Sequence, residues 1–200
     1  MKKGLLIVLS GPSGAGKGTV LKELSEIEEF ALSISTTSRV PREGEIEGVN
    51  YFFKSKEEFE QLIKEEAFFE YAMFNGNYYG TPKEYVFEQI NMGKNVMLEI
   101  EVQGALQVKS IAPEAILIFM MPETAKELES RLVGRNTETK EQIQGRINTA
   151  YKEVELLNCY DYVVINDKVE ETVKDLKAII DCEKDKAIKN NILISKFKGE

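Results

Sequence analysis

The sequence has 200 residues, of which 42% are hydrophobic and 30% are charged. This length suits a single domain whose core is large enough to need no disulfide or metal ion for stability. Asp and Glu outnumber Lys and Arg by 34 to 26, and the formal net charge of -8 argues against a nucleic-acid-binding protein, which normally presents a basic face. A phosphate ligand stays possible, since it needs only a local cluster of arginine and lysine side chains.

Missing residue types narrow the chemistry further. The sequence contains no histidine, which excludes a histidine general base, a Ser-His-Asp triad and most catalytic zinc sites. Cys159 and Cys182 show no CxxC spacing and are interpreted as free thiols in a reducing compartment. The apolar run at residues 5–9 is too short for a signal peptide, and no stretch approaches the ~18–20 apolar residues of a membrane span. We therefore expect a cytoplasmic protein with no membrane partner.

The chain begins with a strand followed by a helix. Residues 5–9 form a short apolar run that ends at a glycine turn, which is typical of a buried parallel strand. Residues 17–27 carry apolar side chains at helical spacing. Residues 31–36 favour a second strand, and the polar segment 37–50, with one proline and two glycines, predicts a loop or irregular arm.

The remaining elements include a strand-rich insert and then a regular alternation. Ser55 and Glu58 fit a capping box at the start of a helix, and Asn75-Gly76 predicts a hairpin turn. The predicted elements, in chain order, are strand 51–53, helix 55–63, strands 68–74 and 78–79, helix 82–92, strand 95–102, helix 104–111, strand 115–120, helices 123–133 and 139–157, strand 162–165 and helix 169–186. This order predicts an α/β fold with a parallel central sheet and an inserted lobe.

The segment after the first strand matches the pattern GxxxxGK between a predicted strand and a predicted helix. Its glycines let backbone N–H groups converge on a phosphate, the helix N-terminus adds partial positive charge, and Lys17 reaches the β- and γ-phosphates. An ordinary glycine turn is the alternative, and the coincidence of strand, motif, lysine and helix disfavours it. The residues expected at ATP are Gly11, Pro12, Ser13, Gly14, Ala15, Gly16, Lys17, Gly18 and Thr19.

One residue of this loop departs from the usual pattern. Gly18 follows Lys17, where Ser or Thr normally supplies a hydroxyl to Mg²⁺. Thr19 cannot simply replace it, because a shift of one residue turns a helical side chain by about 100°. The order GKGT is similar to that of adenylate kinases, which implies that it is compatible with kinase activity and that magnesium relies more on phosphate oxygens and water.

A second candidate anion site lies in the polar arm. Arg39 and Arg42 stand three residues apart with Pro41 between them, which predicts a stiffened clamp for an anion. Taken alone, these residues fit a solvated basic loop better than an anion clamp. Further motifs follow along the chain, namely EGEIEGVNY at 43–51, FEYA at 69–72, GNYYGT at 76–81 and LEIEVQGA at 98–105.

Together these motifs resemble the guanylate kinase family in its bacterial form, over about residues 5–180. The resemblance implies the three-layer fold of the P-loop kinases in one domain. It implies a core at about 1–36, 81–134 and 159–188, a monophosphate-binding lobe at about 37–80 and a helical lid at about 135–158, with a tail at 189–200. The Lys- and Asn-rich composition of the tail leaves both fraying and docking of residues 192–194 open. It also implies transfer of the γ-phosphoryl group of ATP, with Mg²⁺, to GMP and dGMP, by a monomer or homodimer.

The resemblance also assigns site residues. It places Arg39, Arg42, Tyr51 and Tyr79 at the GMP phosphate and Ser35, Glu70, Thr81 and Glu101 at guanine. Guanine presents N1–H and N2–H side by side, so one carboxylate can accept both, and we expect Glu70 to do so and Thr81 to donate to O6. Glu101 departs from the family, where Asp is usual. Tyr51 or Tyr79 alone would fit a half-buried strand aromatic better than a phosphate ligand.

Arginines of the predicted lid complete the candidate site. Arg131 and Arg135 share a helix face, and Arg146 follows on the next helix. Alone they fit a solvated helix surface, whereas beside a phosphate loop they suit phosphoryl transfer, which needs alignment and positive charge. The residues expected to act in catalysis are Lys17, Arg39, Arg131, Arg135 and Arg146. The resemblance places Asn166 at adenine and Glu99 near the magnesium, with no direct metal ligand assigned.

Two other functions stay open at this point. A guanylate-kinase-like module can bind a protein without catalysis, but such modules typically have damaged phosphate loops and this loop is intact. A P-loop kinase for another small phosphate acceptor is the second alternative, and the carboxylates of Glu70 and Glu101 argue against it.

Overall fold

The computed structural model describes residues 3–134 and 139–199, apart from the side chains of 187–193 and 195. Its elements alternate in the α/β order predicted from the sequence. In chain order they are β1 (Leu6–Ser10), α1 (Lys17–Ile27), β2 (Ala31–Leu32), β3 (Thr36–Thr37), β4 (Phe52–Phe53), α2 (Lys56–Lys64), β5 (Phe68–Phe74), β6 (Asn77–Pro82), α3 (Lys83–Asn91), β7 (Val96–Glu99), α4 (Val102–Ile111), β8 (Ile116–Met121), α5 (Ala125–Val133), α6 (Lys140–Val154), β9 (Tyr162–Ile165) and α7 (Val169–Lys198).

The central sheet has the strand order β2-β7-β1-β8-β9, and every pair in it is parallel. β1 therefore lies in the middle, with β7 on one side and β8 on the other. Leu9 pairs with both Glu99 and Ile118, so the carboxyl ends of these three strands meet at one edge of the sheet. Open α/β sheets bind their ligands at this edge.

Helices cover both faces of the sheet, which gives the predicted three-layer α/β fold. Leu6 and Val8 face a cluster with α3 and α4, whereas Ile7 and Leu9 face a cluster with α1 and α7. All four side chains are buried, because successive side chains of a strand point to opposite faces and both faces are covered. The apolar run at residues 5–9 is continuous because helices cover both faces of the strand that it forms.

A second, mixed sheet has the order β4-β3-β6-β5, with β3 parallel to β4 and the other pairs antiparallel. The predicted single strand at 31–36 is wrong, because the chain changes sheets within it. Ser33 donates its N–H to Met97 in the central sheet, while the Ser35 carbonyl accepts from Phe52 in the second sheet. Hydrophobic pattern alone cannot show such a change of partner.

Two local signals in the sequence correctly predicted where a helix begins and where a hairpin turns. The capping box of Ser55 and Glu58 is present at α2. Asn75 and Gly76 both have positive φ angles, of 49° and 79°, as a tight hairpin turn requires. The last helix was predicted to end at residue 186, but α7 continues to Lys198.

Two helices of the predicted lid region pack against each other. α5 and α6 share a small apolar cluster that is separate from the two main clusters and consists of Leu128, Leu132, Ile143, Ile147 and Ala150. Among the described residues, no helix is both long and apolar enough to cross a membrane. The lobe and lid boundaries given above stay predictions.

Glu28, at the end of α1, forms ion pairs with two lysines of α7. We therefore expect the stability of the fold to depend on pH in the acid range. The Glu28 side chain is 7% exposed and pairs with Lys177 at 3.1 Å and with Lys184. Burial alone would raise the pKa of Glu28, but the hydrogen bonds from Lys184 and Lys177 outweigh it and hold the pKa below 4.5. Because the pKa is lower in the folded state, this contribution is complete above the unfolded value and is lost as the pH falls through the folded value.

We predict that Glu28→Gln lowers the free energy of unfolding near neutral pH by about 1–3 kcal/mol, as expected for hydrogen bonds to a charged group. Urea denaturation at neutral pH and at a pH well below 4.5 measures this, and the difference from wild type should shrink at the lower pH. Glu26→Gln, at an exposed position of the same helix, is the control. A difference that is independent of pH would contradict the prediction.

Candidate functional site

The loop between β1 and α1 is held very close to the central sheet. Gly11 has a φ angle of 139°, and a Cβ added there would lie 2.0 Å from the carbonyl oxygen of Met120 on β8. Gly16 has a φ angle of 91°, and its Cβ would lie 2.7 Å from the amide nitrogen of Asn166. Only glycine satisfies both the positive φ and the close approach. The glycines of the motif are therefore required by this backbone path.

Lys17 begins α1 and lies across the loop. Its ammonium group donates to the carbonyl oxygens of Gly11 at 2.6 Å and Pro12 at 3.3 Å. The side chain thus places a positive charge at the loop, beside the N-terminus of a helix, which itself favours anions. That Lys17 reaches the β- and γ-phosphates from this position stays a prediction.

The carbonyl of Ala15 anchors two of the predicted site residues. Asn166, buried at the end of β9, donates its side-chain amide to this carbonyl at 2.7 Å and accepts from Thr172 at 3.0 Å. Arg131 donates to the same carbonyl at 3.2 Å and to the Asn166 carbonyl at 2.6 Å, and it pairs with Glu127. Arg131 is therefore fixed beside the loop, while the predicted contact of Asn166 with adenine stays a prediction.

Arg146 connects the predicted lid to the loop, because its guanidinium donates to the hydroxyl of Ser13. Arg135, the third predicted lid arginine, lies outside the described residues. Near the start of α1, Gly18 and Thr19 are exposed, and Glu99 is exposed at the end of β7. The structure thus brings Lys17, Arg131, Arg146 and the loop together.

Two contacts near the loop involve residues that the sequence analysis did not assign. Tyr160, which follows α6 and precedes β9, forms a hydrogen bond of 2.9 Å with Ser10, the last residue of β1. Burial raises the pKa of Glu153 near the end of α6, while the charge of Lys17 opposes that shift and the charge of Glu101 adds to it. Glu153 therefore lies within electrostatic reach of Lys17. No local pattern marks these residues, because their partners are distant in sequence.

Arg39 is the centre of a second cationic cluster, in the loop after β3. It forms two hydrogen bonds with Glu45, of 3.0 and 2.8 Å, and a third with the Val40 carbonyl at 2.7 Å. The guanidinium carbon lies 5.5 Å from the ring centre of Tyr51, within range of a cation–π interaction. Its Nε is buried and has no hydrogen-bond partner. Glu45, then Tyr79, raise the pKa of Arg39, which stays charged.

The other predicted phosphate ligands lie around Arg39. The rings of Tyr51 and Tyr79 meet edge to face with centres 6.0 Å apart. Arg42 donates its backbone N–H to Glu45 at 2.7 Å, and its side chain is exposed. Glu45 was not assigned from the sequence, although a carboxylate three residues after an arginine was an available signal. The hydrogen bonds from Arg39 and Arg42 lower the pKa of Glu45, which stays ionised.

Glu70 and Thr81 form a hydrogen-bonded polar pair in which Thr81 is buried and Glu70 is half-buried. Thr81 donates its hydroxyl to Glu70 at 2.7 Å, and its expected donation to guanine O6 stays a prediction. The second carboxylate oxygen of Glu70 packs against Gly104, where an added Cβ would lie 3.1 Å away. Burial raises the pKa of Glu70, and the charge of Glu101 adds to the shift.

The remaining predicted guanine residues lie at the edges of this pair. Glu101 is exposed at the N-cap of α4, where its side chain makes no capping hydrogen bond. Ser35 is half-buried in the segment that connects the two sheets. The structure thus joins Glu70 with Thr81 and brings Glu101 within electrostatic reach, and the roles of these residues stay predictions.

A glycine loop at the carboxyl end of a central parallel strand, with a lysine and arginines gathered on it, defines a P-loop nucleotide-binding protein. Residues 3–183 match the family model described as guanylate kinase. The chain belongs to the guanylate kinase family, whose members are nucleoside monophosphate kinases.

Several members of this family are similar along nearly their whole length. The chain is 54% identical over 198 residues to a guanylate kinase of Clostridium tetani, covering 98% of this chain and 95% of that protein. It is 55% identical over 181 residues to one of Bacillus anthracis, covering 90% and 88%. A crystal structure of guanylate kinase from Anaplasma phagocytophilum superposes with a TM-score of 0.70 at 31% identity, covering 92% of this chain and 87% of that one.

We predict that Asn166→Ala destabilises the protein by about 1–3 kcal/mol, because the buried Ala15 carbonyl and Thr172 hydroxyl each lose a partner. Urea denaturation measures the loss. Asn158→Ala, in the segment between α6 and β9, is the control, because that side chain is exposed. Equal stability of the two variants would contradict the structural role given to Asn166.

Proposed function

We propose that this protein transfers the γ-phosphoryl group of ATP to GMP, and to dGMP as a second acceptor, in the cytoplasm. The oxygen of the GMP phosphate attacks the γ-phosphorus, and the bond from that phosphorus to the bridging oxygen of ADP breaks. The products are ADP and GDP, or dGDP from dGMP. The proposal leaves a monomer and a homodimer open, which sedimentation equilibrium distinguishes.

The partly buried carboxylate of Glu70 is the observation that carries the choice of acceptor. Burial of a carboxylate is unfavourable unless donors satisfy it, and besides the hydroxyl and backbone hydrogen bonds from Thr81 the two oxygens of Glu70 can accept more. Guanine presents two adjacent N–H donors, whereas adenine has no donor at N1. A site built around a buried acceptor rejects a ligand that leaves it unpaired. GMP therefore suits this site better than AMP.

The cluster around Arg39 suits the phosphate of the acceptor. Glu45 and the Val40 carbonyl engage both terminal nitrogens of its guanidinium, and the buried Nε has no partner. An orphaned donor of this kind is expected where a ligand supplies the acceptor. Arg42, Tyr51 and Tyr79 lie around the same point and can contribute further donors to the three phosphate oxygens.

The other end of the site suits Mg-ATP. Phosphoryl transfer requires alignment and positive charge around the moving group, which Lys17, Arg131 and Arg146 can provide, and Arg135 is proposed to join them. Within residues 3–134 and 139–199, no group of three or more acidic, cysteine or histidine side chains could hold a metal alone. Magnesium that is bound mainly through phosphate oxygens and water, with Glu99 nearby, fits this arrangement.

Lys17 and a panel of acceptors test the proposal. A coupled assay of ADP release with GMP, dGMP, AMP, UMP and no acceptor should show turnover with the first two only. Lys17→Ala should reduce transfer by at least about 100-fold, since it removes charge stabilisation at the phosphates, and should leave GMP binding intact. No turnover of wild type with GMP would favour a binding module, and turnover with another acceptor alone would contradict the specificity.

We predict that the KM for GMP rises as the pH is lowered, and that Glu70 causes the rise. Its raised pKa means that Glu70 is protonated at a higher pH than an ordinary glutamate, and the protonated form cannot accept both guanine donors. Glu70→Gln should raise the KM by roughly 10- to 100-fold and remove this pH dependence, because the amide carries a fixed donor.

Initial rates at several pH values measure the effect, with Glu57→Gln, at an exposed position of α2, as the control. An unchanged KM in Glu70→Gln would remove Glu70 from the guanine site.

A further inference from the structure

Helix α6 turns two of its charged side chains toward the protein. Arg146, Ala150 and Glu153 lie on one stripe of the helix, because residues three and four positions apart are neighbours on its surface. Ala150 is buried, and Arg146 and Glu153 are half-buried. The other charged residues of α6 are exposed, namely Lys140, Glu141 and Lys152. This stripe therefore packs against the rest of the molecule.

Two hydrogen bonds, one on each side of Glu153 along the chain, show what the stripe faces. Arg146, seven residues before Glu153, donates to the hydroxyl of Ser13. Tyr160, seven residues after Glu153, forms a hydrogen bond of 2.9 Å with Ser10. Glu153 is thus held opposite the segment between these two serines, at the root of the loop between β1 and α1.

Lys17 places its positive charge on that same segment. Its ammonium group donates to the carbonyl oxygens of Gly11 and Pro12, which lie between the two serines. Burial raises the pKa of Glu153, and the charge of Lys17 opposes that rise. A positive charge close to a carboxylate favours its ionised form, so Lys17 stabilises the charged state of Glu153.

Three titratable groups from other parts of the fold act on Glu153 or are acted on by it. They are Lys17 at the start of α1, Glu101 at the N-cap of α4 and Tyr160 beyond the end of α6. The charge of Glu101 adds to the rise in the pKa of Glu153. Burial raises the pKa of Tyr160 above 10, so its hydroxyl stays neutral near physiological pH. Of these three groups, Lys17 supplies the positive charge.

We propose that Glu153 is the counterion of Lys17 in the empty loop, and that it takes up a proton from solvent when the phosphates of a nucleotide replace it at Lys17. One oxygen of the carboxylate gains this proton, and no bond of the nucleotide changes. Glu153 is then a positioning residue, which acts through Lys17 and, once neutral, adds no negative charge beside the phosphates. The inference rests on the proposed function, since ATP supplies those phosphates.

Proton uptake on nucleotide binding tests this without measuring activity. ADP with saturating Mg²⁺ is titrated into the full-length protein in a calorimeter, in buffers of different ionisation enthalpy, from about pH 5.5 to about pH 8. GMP is left out, so that the surroundings of Glu101 do not change. Glu155→Gln is the matched control, because Glu155 stands just beyond α6 and is exposed.

Wild type should take up more protons than Glu153→Gln, by up to about one proton for each ADP bound, because a single carboxyl group makes the difference. At the upper end of the pH range, Glu153→Gln should bind ADP about tenfold more tightly than wild type, as a change of one unit in the pKa of one group implies. The two affinities should converge as the pH falls, because Glu153 is then protonated before ADP binds. Glu155→Gln should behave like wild type in both measurements.

Thermal unfolding separates this role from a structural one. The pKa of Glu153 is raised in the folded protein, so its ionised form is unfavourable there at neutral pH. Glu153→Gln should therefore leave the Tm unchanged or raise it. A lower Tm together with weaker ADP binding at every pH would overturn the inference, because Glu153 would then only support the loop.

Two further outcomes would also overturn it. The first is equal proton uptake by wild type and Glu153→Gln. The second concerns Lys17→Ala, in which Glu153→Gln should change ADP affinity less than it does in wild type, because the counterion is already gone. An equal change in both backgrounds would show that Glu153 acts on the phosphates without Lys17.

These outcomes differ from a failure of the proposed function. If wild type does not bind ADP at any pH in this range, the ATP site itself is wrong. If all the proteins bind ADP and only the proton uptake fails to depend on Glu153, the ATP site stands and the exchange of counterions does not.

Discussion

The close approach of the loop backbone to the central sheet is the constraint on which the site depends. Gly11 lies against the Met120 carbonyl, and the Ala15 carbonyl accepts from both Asn166 and Arg131. These contacts hold one carbonyl away from the ligand side of the loop and leave backbone N–H groups for a phosphate. Met120 lies on β8 and Asn166 directly follows β9, so the position of the loop depends on the parallel sheet behind it.

Positive charge in this acidic protein is concentrated and individually held in place. Arg39 is paired with Glu45, and Arg131 is paired with Glu127, so each guanidinium is oriented by a carboxylate. A carboxylate partner lowers the conformational freedom that an arginine must lose on binding an anion. The net charge of -8 is therefore compatible with a site for two polyanions, since local placement and not total charge decides binding.

Local patterns predicted the parts of the fold that depend on neighbours in sequence. The glycine loop, the helix at residues 17–27 and the capping box of Ser55 follow from residues a few positions apart, and all three are present. The sheet change between Ser33 and Ser35 was missed because it depends on partners in Met97 and Phe52, which no pattern in that segment reveals.

In the candidate site, too, residues in distinctive local segments were predicted, and residues that depend on distant partners were not. The motifs located Lys17 and Arg39, because each lies in a short segment of distinctive composition. Glu153 was missed because the charges that act on it, Lys17 and Glu101, lie more than fifty positions away in sequence. Glu45 was missed although it stands only three residues after Arg42, to whose backbone N–H it is bonded. The length of α7 was missed because a polar, lysine-rich tail carries no signal that ends or extends a helix.

The hydrogen bond between Tyr160 and Ser10 has a mechanical consequence for α6. It pins the chain just beyond the C-terminal end of this helix to the strand that leads into the loop. A helix of 15 residues is about 22 Å long, so a swing of about 10° around that end displaces the opposite end by about 4 Å. Arg146, near the midpoint, would travel about 2 Å, which is enough to make or break its contact with Ser13. A small rotation of α6 would therefore be enough to move the charge of Arg146 toward or away from the loop.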